Sequence, residues 1–198
     1  GLGCDWSSDV CSSDLSRSSN ASGPRSARPA LNPRSMGGGN CDANEFNCAD
    51  TPNPLPRADT VWLEEMTWMD VRDALKAGQT TAIIPTGGIE PNGPWLVTGK
   101  HNHVLRANCT AIARELGDAI CTPIVKLVPE GSIDPPSGHM RSPGTLSLRQ
   151  ETFEAVLTDV ARSLKTHGFR NIIFIGDSGG NQRGQRTVAE NQIGRAHV

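Results

Sequence analysis

Apolar and polar positions follow clear periods from about residue 60 onward, whereas residues 16 to about 56 show neither the helical nor the strand period. "TWMDVRDALKAG" sets Thr67 three residues before Asp70, in the manner of a capping box. Val71 and Leu75 then share one face, and Gly78 is the stop, which predicts a short amphipathic helix. "TTAIIP" at 80–85 is a β-branched apolar run and predicts a buried strand. In "HNHVLRANCTAIARELG", Leu105, Cys109, Ile112 and Leu116 recur at helical spacing up to Gly117. "AICTPIVKLVP" at 119–129 predicts a second strand, followed by a loop over 130–145. Next, "SLRQETFEAVLTDVARSLKTHG" carries Phe153, Val156, Leu157, Val160 and Leu164 in helical register, with Ser147 and Gln150 as a capping box and Gly168 as the stop. "NIIFI" at 171–175 predicts a third strand, and another helix begins near Gln182.

Strands alternating with helices argue for a mainly parallel sheet, because parallel neighbours need crossover connections. The fold class read from this order is α/β. Ligands of such sheets bind beyond the carboxyl ends of the strands. The loops starting at Thr86 and Gly176 leave those ends and are candidates for one shared site, with the 130–145 loop beside them.

Composition narrows the function classes. At 198 residues and 36% apolar content, the chain suits one domain with a real core. A formal charge of −2, without a basic stripe interleaved with aromatics, predicts no nucleic-acid partner. No apolar run approaches the roughly 20 residues of a membrane helix, so no membrane partner is expected. The site of action stays open: cytoplasmic, or periplasmic if an upstream signal peptide exists.

The two ends are related in an unusual way. The codons ATC GGA AGA GCA CAC GTC encode "IGRAHV" at 193–198, and their reverse complement encodes "DVCSSD", the string at 9–14. A translated sequencing adapter flanking a cloned or metagenomic insert produces such a pair. Residues 1–15 and 193–198 are therefore set apart as adapter-derived, 16–59 as a disordered leader or linker, and 60–192 as the folded domain, incomplete at its C-terminus. Cys4, Cys11 and His197 drop out of the chemical inventory. Cys41 and Cys48 are either a short-loop disulfide or two free thiols. Cys109 and Cys121 are expected as small buried apolar residues.

"GDSGG" around Ser178 reproduces the string of a serine protease. A trypsin-like reading needs an all-β double barrel and an upstream His and Asp, and neither fits a chain whose Ser178 follows a strand in an α/β pattern. The spacing of a Gly-x-Ser-x-Gly elbow is absent as well.

Three longer stretches say more: "PTGGIEPNGPWLVTGKHN", "GHMRSPGTLSL" and "SLKTHGFRNIIFIGDSGGN". In order and spacing they resemble the creatininase family of metal-dependent amidohydrolases. Its signatures run Gly-Ser-x-Glu-Gln-His-Gly-Pro-His-Leu, Phe-Pro-Gly-Thr, and His-Gly-Phe before Asn-Gly-His-Gly-Gly-Asn. The resemblance spans roughly residues 61–191. It implies a three-layer α/β sandwich with a metal site at the strand ends. It also implies a small-molecule amide substrate, cyclic or linear, whose C–N bond is hydrolysed, and a homo-oligomer in the full-length protein.

On this resemblance Glu90 matches the metal-binding Glu. Asn92 stands where the pattern has a ligand His, His101 where it has an Asp that bridges two metals, and Ser178 where it has the His of His-Gly-Gly-Asn. Three exchanged positions argue against a standard two-metal centre. Glu90, His101 and Asp177 remain as an O/N/O set for one divalent ion, zinc or manganese, with an open position for water. The implied roles are catalysis by Glu90, His139 and Ser178, and substrate or oxyanion binding by Asn92, Trp95, Asn181 and the amides of Gly179 and Gly180.

Each residue also has a plainer reading. Glu90 can accept backbone N–H bonds in a turn, His101 can face solvent, Asp177 can cap the next helix, and Trp95 can pack its own loop. His103 and His167 need no functional reading; the latter suits the end of a helix. A second hypothesis from another class is a catalytically inactive relative that binds an amide-like or sugar-like ligand in the inherited pocket.

Overall fold

A computed structural model of the protein describes residues 2–5 and 51–193. In chain order the elements are β1 (Leu2–Asp5), α1 (Trp68–Lys76), β2 (Thr81–Thr86), α2 (Lys100–Leu116), β3 (Ala119–Cys121), α3 (Gln150–His167), β4 (Asn171–Gly176) and α4 (Gln182–Ile193). The sheet runs β1-β4-β2-β3, with β2 parallel to both β3 and β4, and β1 antiparallel to β4. Leu2–Asp5, set apart on sequence, thus pair with the outer edge of β4. Gly1 and residues 6–50 and 194–198, including Cys41, Cys48 and most of the expected leader, lie outside the described residues.

Strand alternation builds two cores, because successive side chains point to opposite faces of a sheet. Ala82, Ile84, Ile172 and Phe174 face α3 and α4 and pack with Phe153, Leu157, Ala161, Leu164, Val188 and Ala189. Ile83, Ile173 and Ile175 face the other way, toward Trp62 and the Cys109 and Ala113 of α2. The result is the three-layer α/β/α sandwich that the sequence predicts. No helix among the described residues is long and apolar enough to cross a membrane.

Several local expectations are corrected. The capping box of α1 forms as read: Thr67 Oγ1 accepts from Asp70 N–H at 3.1 Å, and Asp70 Oδ2 accepts from Thr67 N–H at 2.9 Å. That of α3 does not, since its N-cap is Arg149, with no side-chain cap bond. Ser147 Oγ instead accepts from Glu130 N–H at 2.9 Å and donates to Gly131 O at 2.8 Å, so it is spent on the neighbouring loop. The buried ridge of α2 is His101, Leu105, Cys109 and Ala113, while Ile112 and Leu116 are exposed. Val156 on α3 is exposed too.

The predicted 119–129 strand stops at Cys121, close to Pro123, which has no N–H to donate. Pairing resumes only as single bridges, Thr86 with Val125 and Val128 with Ser147. Cys109 and Cys121 are fully buried as expected, but they form a disulfide that joins α2 to β3 across a Cα–Cα distance of 6.2 Å. The end of the expected leader is tied down: Asn53 Nδ2 donates to Asp70 Oδ1 at 2.8 Å, and Arg57 bonds Gln79.

Candidate functional site

The loop leaving β2 is gripped from two sides. Asn102, in the first turn of α2, accepts from Gly88 N–H at 3.3 Å and donates to Gly88 O at 3.0 Å. From α4, Gln185 Nε2 donates to Thr86 Oγ1 at 2.7 Å, and just before it Asn181 Nδ2 donates to Thr86 O at 3.1 Å and Gly87 O at 2.7 Å. Glycine leaves room for these contacts, since a Cβ at Gly88 would displace Oε1 of Glu130 and one at Gly87 would displace Oδ1 of Asn102. This grip delivers Glu90, 5% exposed, to the space beyond the strand ends.

Glu90 is the hub of a charged cluster. Its Oε1 lies 2.5 Å from Nε2 of His101, whose Nδ1 lies 2.6 Å from Oδ2 of Asp177. Lys100 Nζ is 3.1 Å from both that Asp177 oxygen and the same His101 nitrogen. On its other side Glu90 stands against the carboxyl of Glu130 and presents Oε2 to Nε2 of His139 at 3.2 Å. Oε2 of Glu90 and Oε1 of Glu130 are nonetheless buried without a hydrogen-bond partner.

The acidities follow from this packing. Burial, with the contact and charge of Glu90 beside it, pushes the Glu130 carboxyl up to about 9. Burial also works against Glu90, but the adjoining Glu130 carboxyl, the hydrogen bond with His101 and the two neighbouring imidazoles outweigh it and hold Glu90 below the ordinary glutamate range. Asp177 is likewise opposed by burial and held low by His101 and Lys100. The Glu90–Glu130 pair therefore carries one proton at neutral pH.

The residues fit a divalent cation. One ligand atom each from Glu90, Glu130 and His139 lies within 4.8 Å of the others, and the two orphaned carboxylate oxygens are the atoms a cation would satisfy. An O/O/N set suits zinc or manganese. His139 is 50% exposed, so the cluster has an open side. The set expected from sequence is arranged differently: Glu90, His101 and Asp177 are brought together, but as a hydrogen-bonded chain through the two nitrogens of one ring.

The remaining candidates are spread around the cluster. Ser178, half-buried, precedes the short 3-10 turn Gly179–Asn181 and makes no cap bond with its side chain. Gly179 and Gly180 are exposed, and a Cβ at Gly180 would stand 3.3 Å from Pro129 O, next to Glu130. Asn92 is half-buried and donates to Glu90 O at 3.1 Å. Trp95 is 91% exposed. Asn181, expected to touch substrate, is corrected: it is 0% exposed and its amide holds the β2 loop. The sequence reading missed Glu130 and Asn102. Glu130 follows the apolar run "PIVKLVP" directly, the same placement after a strand that singled out Glu90.

Carboxylates and imidazoles gathered beyond the carboxyl ends of the parallel strands, between helices on both faces, define an α/β protein with residues there that could hold a metal ion. The family model described as creatinine amidohydrolase matches residues 64–197, and the chain belongs to the creatininase family. It is 26% identical over 116 residues to creatinine amidohydrolase of Pseudomonas putida, covering 59% of this chain and 44% of that protein. It is 27% identical over 125 residues to 3-dehydro-scyllo-inosose hydrolase of Thermotoga maritima, covering 63% of this chain and 38% of that protein. The chain therefore spans less than half the length of these relatives. A crystal structure of creatininase superposes with a TM-score of 0.58 at 22% identity, over 68% of this chain and 52% of that one. A manganese form of creatininase gives 0.57 at 23%, over 67% and 49%. At these identities the likeness speaks to the fold.

Proposed function

We propose that the protein is a metal-dependent amidohydrolase that cleaves a C–N bond of a small cyclic or linear amide, with Glu90, Glu130 and His139 holding one zinc or manganese ion. The observation that carries this reading is the convergence of two buried, unsatisfied carboxylate oxygens with an imidazole at the strand ends. The manganese form among the related structures is consistent with the choice of ion.

A bound divalent ion supplies Lewis acidity and activates water. The chain's own residues do the rest. Glu90 is fixed through Oε1 and keeps Oε2 toward the centre. As a ligand Glu130 would have to be deprotonated, so affinity would rise with pH. The hydroxyl of Ser178 and the backbone N–H groups of Gly179 and Gly180 are the donors for a substrate carbonyl oxygen as charge develops on it. Asn92 and Trp95 form the rim on which the substrate rests. The exposed Trp95, Leu96 and Val97 on that rim also support a homo-oligomer in which a second copy covers them. The Cys109–Cys121 disulfide supports action in the periplasm over the cytoplasm.

The test is metal content per chain together with hydrolysis of a panel of lactams, formamides and short peptides, with and without chelator. One ion per chain, and turnover lost in Glu90→Ala and on chelation, is the expected result. A folded protein with neither metal nor turnover overturns this reading. In that case the proton-sharing Glu90–Glu130 pair, which needs no ion to sit together, favours the inactive ligand-binding relative.

A further inference from the structure

The metal-site reading above leaves three charged groups without a role: Lys100, His101 and Asp177. We propose that His101 and Asp177 are positioning residues and not ligands, with Asp177 anchoring Nδ1 of His101 so that Nε2 fixes Oε1 of Glu90 and leaves Oε2 as the atom that meets the cation.

Three observations carry it. First, both nitrogens of His101 already face carboxylate oxygens, at 2.5 and 2.6 Å, so a cation could take either ring nitrogen as a ligand only by breaking one of these contacts. Second, Lys100 Nζ sits 3.1 Å from Asp177 Oδ2 and 3.1 Å from His101 Nδ1, placing a positive charge against the pair of atoms that a cation bridging them would have to approach. Like charges at that range repel. Third, the two oxygens of Glu90 are unequal: Oε1 is occupied by His101, while Oε2 is buried, unbonded and turned to His139. A carboxylate anchored at one oxygen presents the other with little rotamer freedom left to lose. A supporting shell of this kind holds a ligand in the geometry the ion requires.

The inference rests on the metal-site reading, and cobalt(II) as the sole probe separates the two. The full chain is titrated with cobalt(II) for the wild type and for Asp177→Asn, His101→Gln, Lys100→Met and His139→Gln, with circular dichroism confirming the fold of each. Dissociation constants come from competition with a chromophoric chelator. Asp177→Asn and His101→Gln are expected to weaken binding about 10- to 100-fold while keeping one ion per chain and the visible band envelope of the wild type. His139→Gln is expected to change that envelope, because a nitrogen ligand is lost. Lys100→Met leaves one ion and the same bands. The inference is overturned, with the metal site intact, if His101→Gln or Asp177→Asn shifts the bands or abolishes binding in a folded chain. It is also overturned if both leave the affinity within about threefold of the wild type, since a positioning shell is worth more than that. Failure of the wild type to bind cobalt at all overturns the metal-site reading, and this inference with it.

Discussion

Glu130 holds its proton up to about pH 9 because it is buried against a second carboxyl. The same fact sets a slope on stability. In the unfolded chain a glutamate ionises near about 4.3, so between that pH and about 9 the metal-free folded state binds the extra proton. Stability then falls as pH rises through this window, and the contribution present below it is lost. Glu130→Gln, a neutral donor of the same shape, is expected to flatten the decline of the thermal midpoint between pH 5 and 8 in chelator-treated protein. An unchanged slope would mean that the pair does not share a proton. Glu130 was hard to find in the sequence because its importance comes from contact with Glu90, forty residues earlier. Glu90 and His101 were easier, lying in one motif and meeting directly. Asn181 misled because a buried amide and a substrate-facing amide look alike in a string.

Element boundaries were legible where the signal is local. The capping box of α1 needs only Thr67 and Asp70, and it forms as spaced. Burial opposes ionisation of Asp70, but hydrogen bonds from Thr67 and Asn53 overcome it and hold the carboxyl below the ordinary aspartate range. Its contribution is therefore present above the unfolded value near about 4 and is lost as pH falls through the lower folded value. Asp70→Ala is expected to cost on the order of 1–2 kcal/mol in urea unfolding at pH 7, with the difference shrinking toward pH 3. A constant difference across that range would remove the carboxylate from the explanation. The equivalent signal at α3 failed because Ser147 has a non-local competitor, the backbone of Glu130 and Gly131. The face of α2 was misjudged for a related reason: its ridge continues from His101 and Asn102, whose burial is set by the site and not by their polarity.

At the scale of the molecule, the alternation of strands and helices was enough for a mainly parallel sheet covered by helices, since chain chemistry leaves few ways to bury such segments, and the family resemblance implied the three layers. The covalent link was not legible, because Cys109 and Cys121 fit buried apolar positions with or without a bond. The disulfide closes a short segment, and replacing both cysteines with Ala is expected to lower stability by about 2–3 kcal/mol. Denaturation of oxidised and reduced protein checks the value, and coincident curves would mean that the bond contributes nothing.

The pairing of β2 with β4 sets Thr86 opposite Gly176, and Asp177 is the very next residue. A slip of two residues, the smallest that keeps both faces of β4 in place, would carry Asp177 about 6.6 Å along the sheet and away from His101. The charged cluster therefore works as a checksum on strand registration. In a refolded preparation, the fraction of molecules whose His101 reports a carboxylate neighbour counts the chains that aligned correctly, a distinction that overall secondary-structure content does not make.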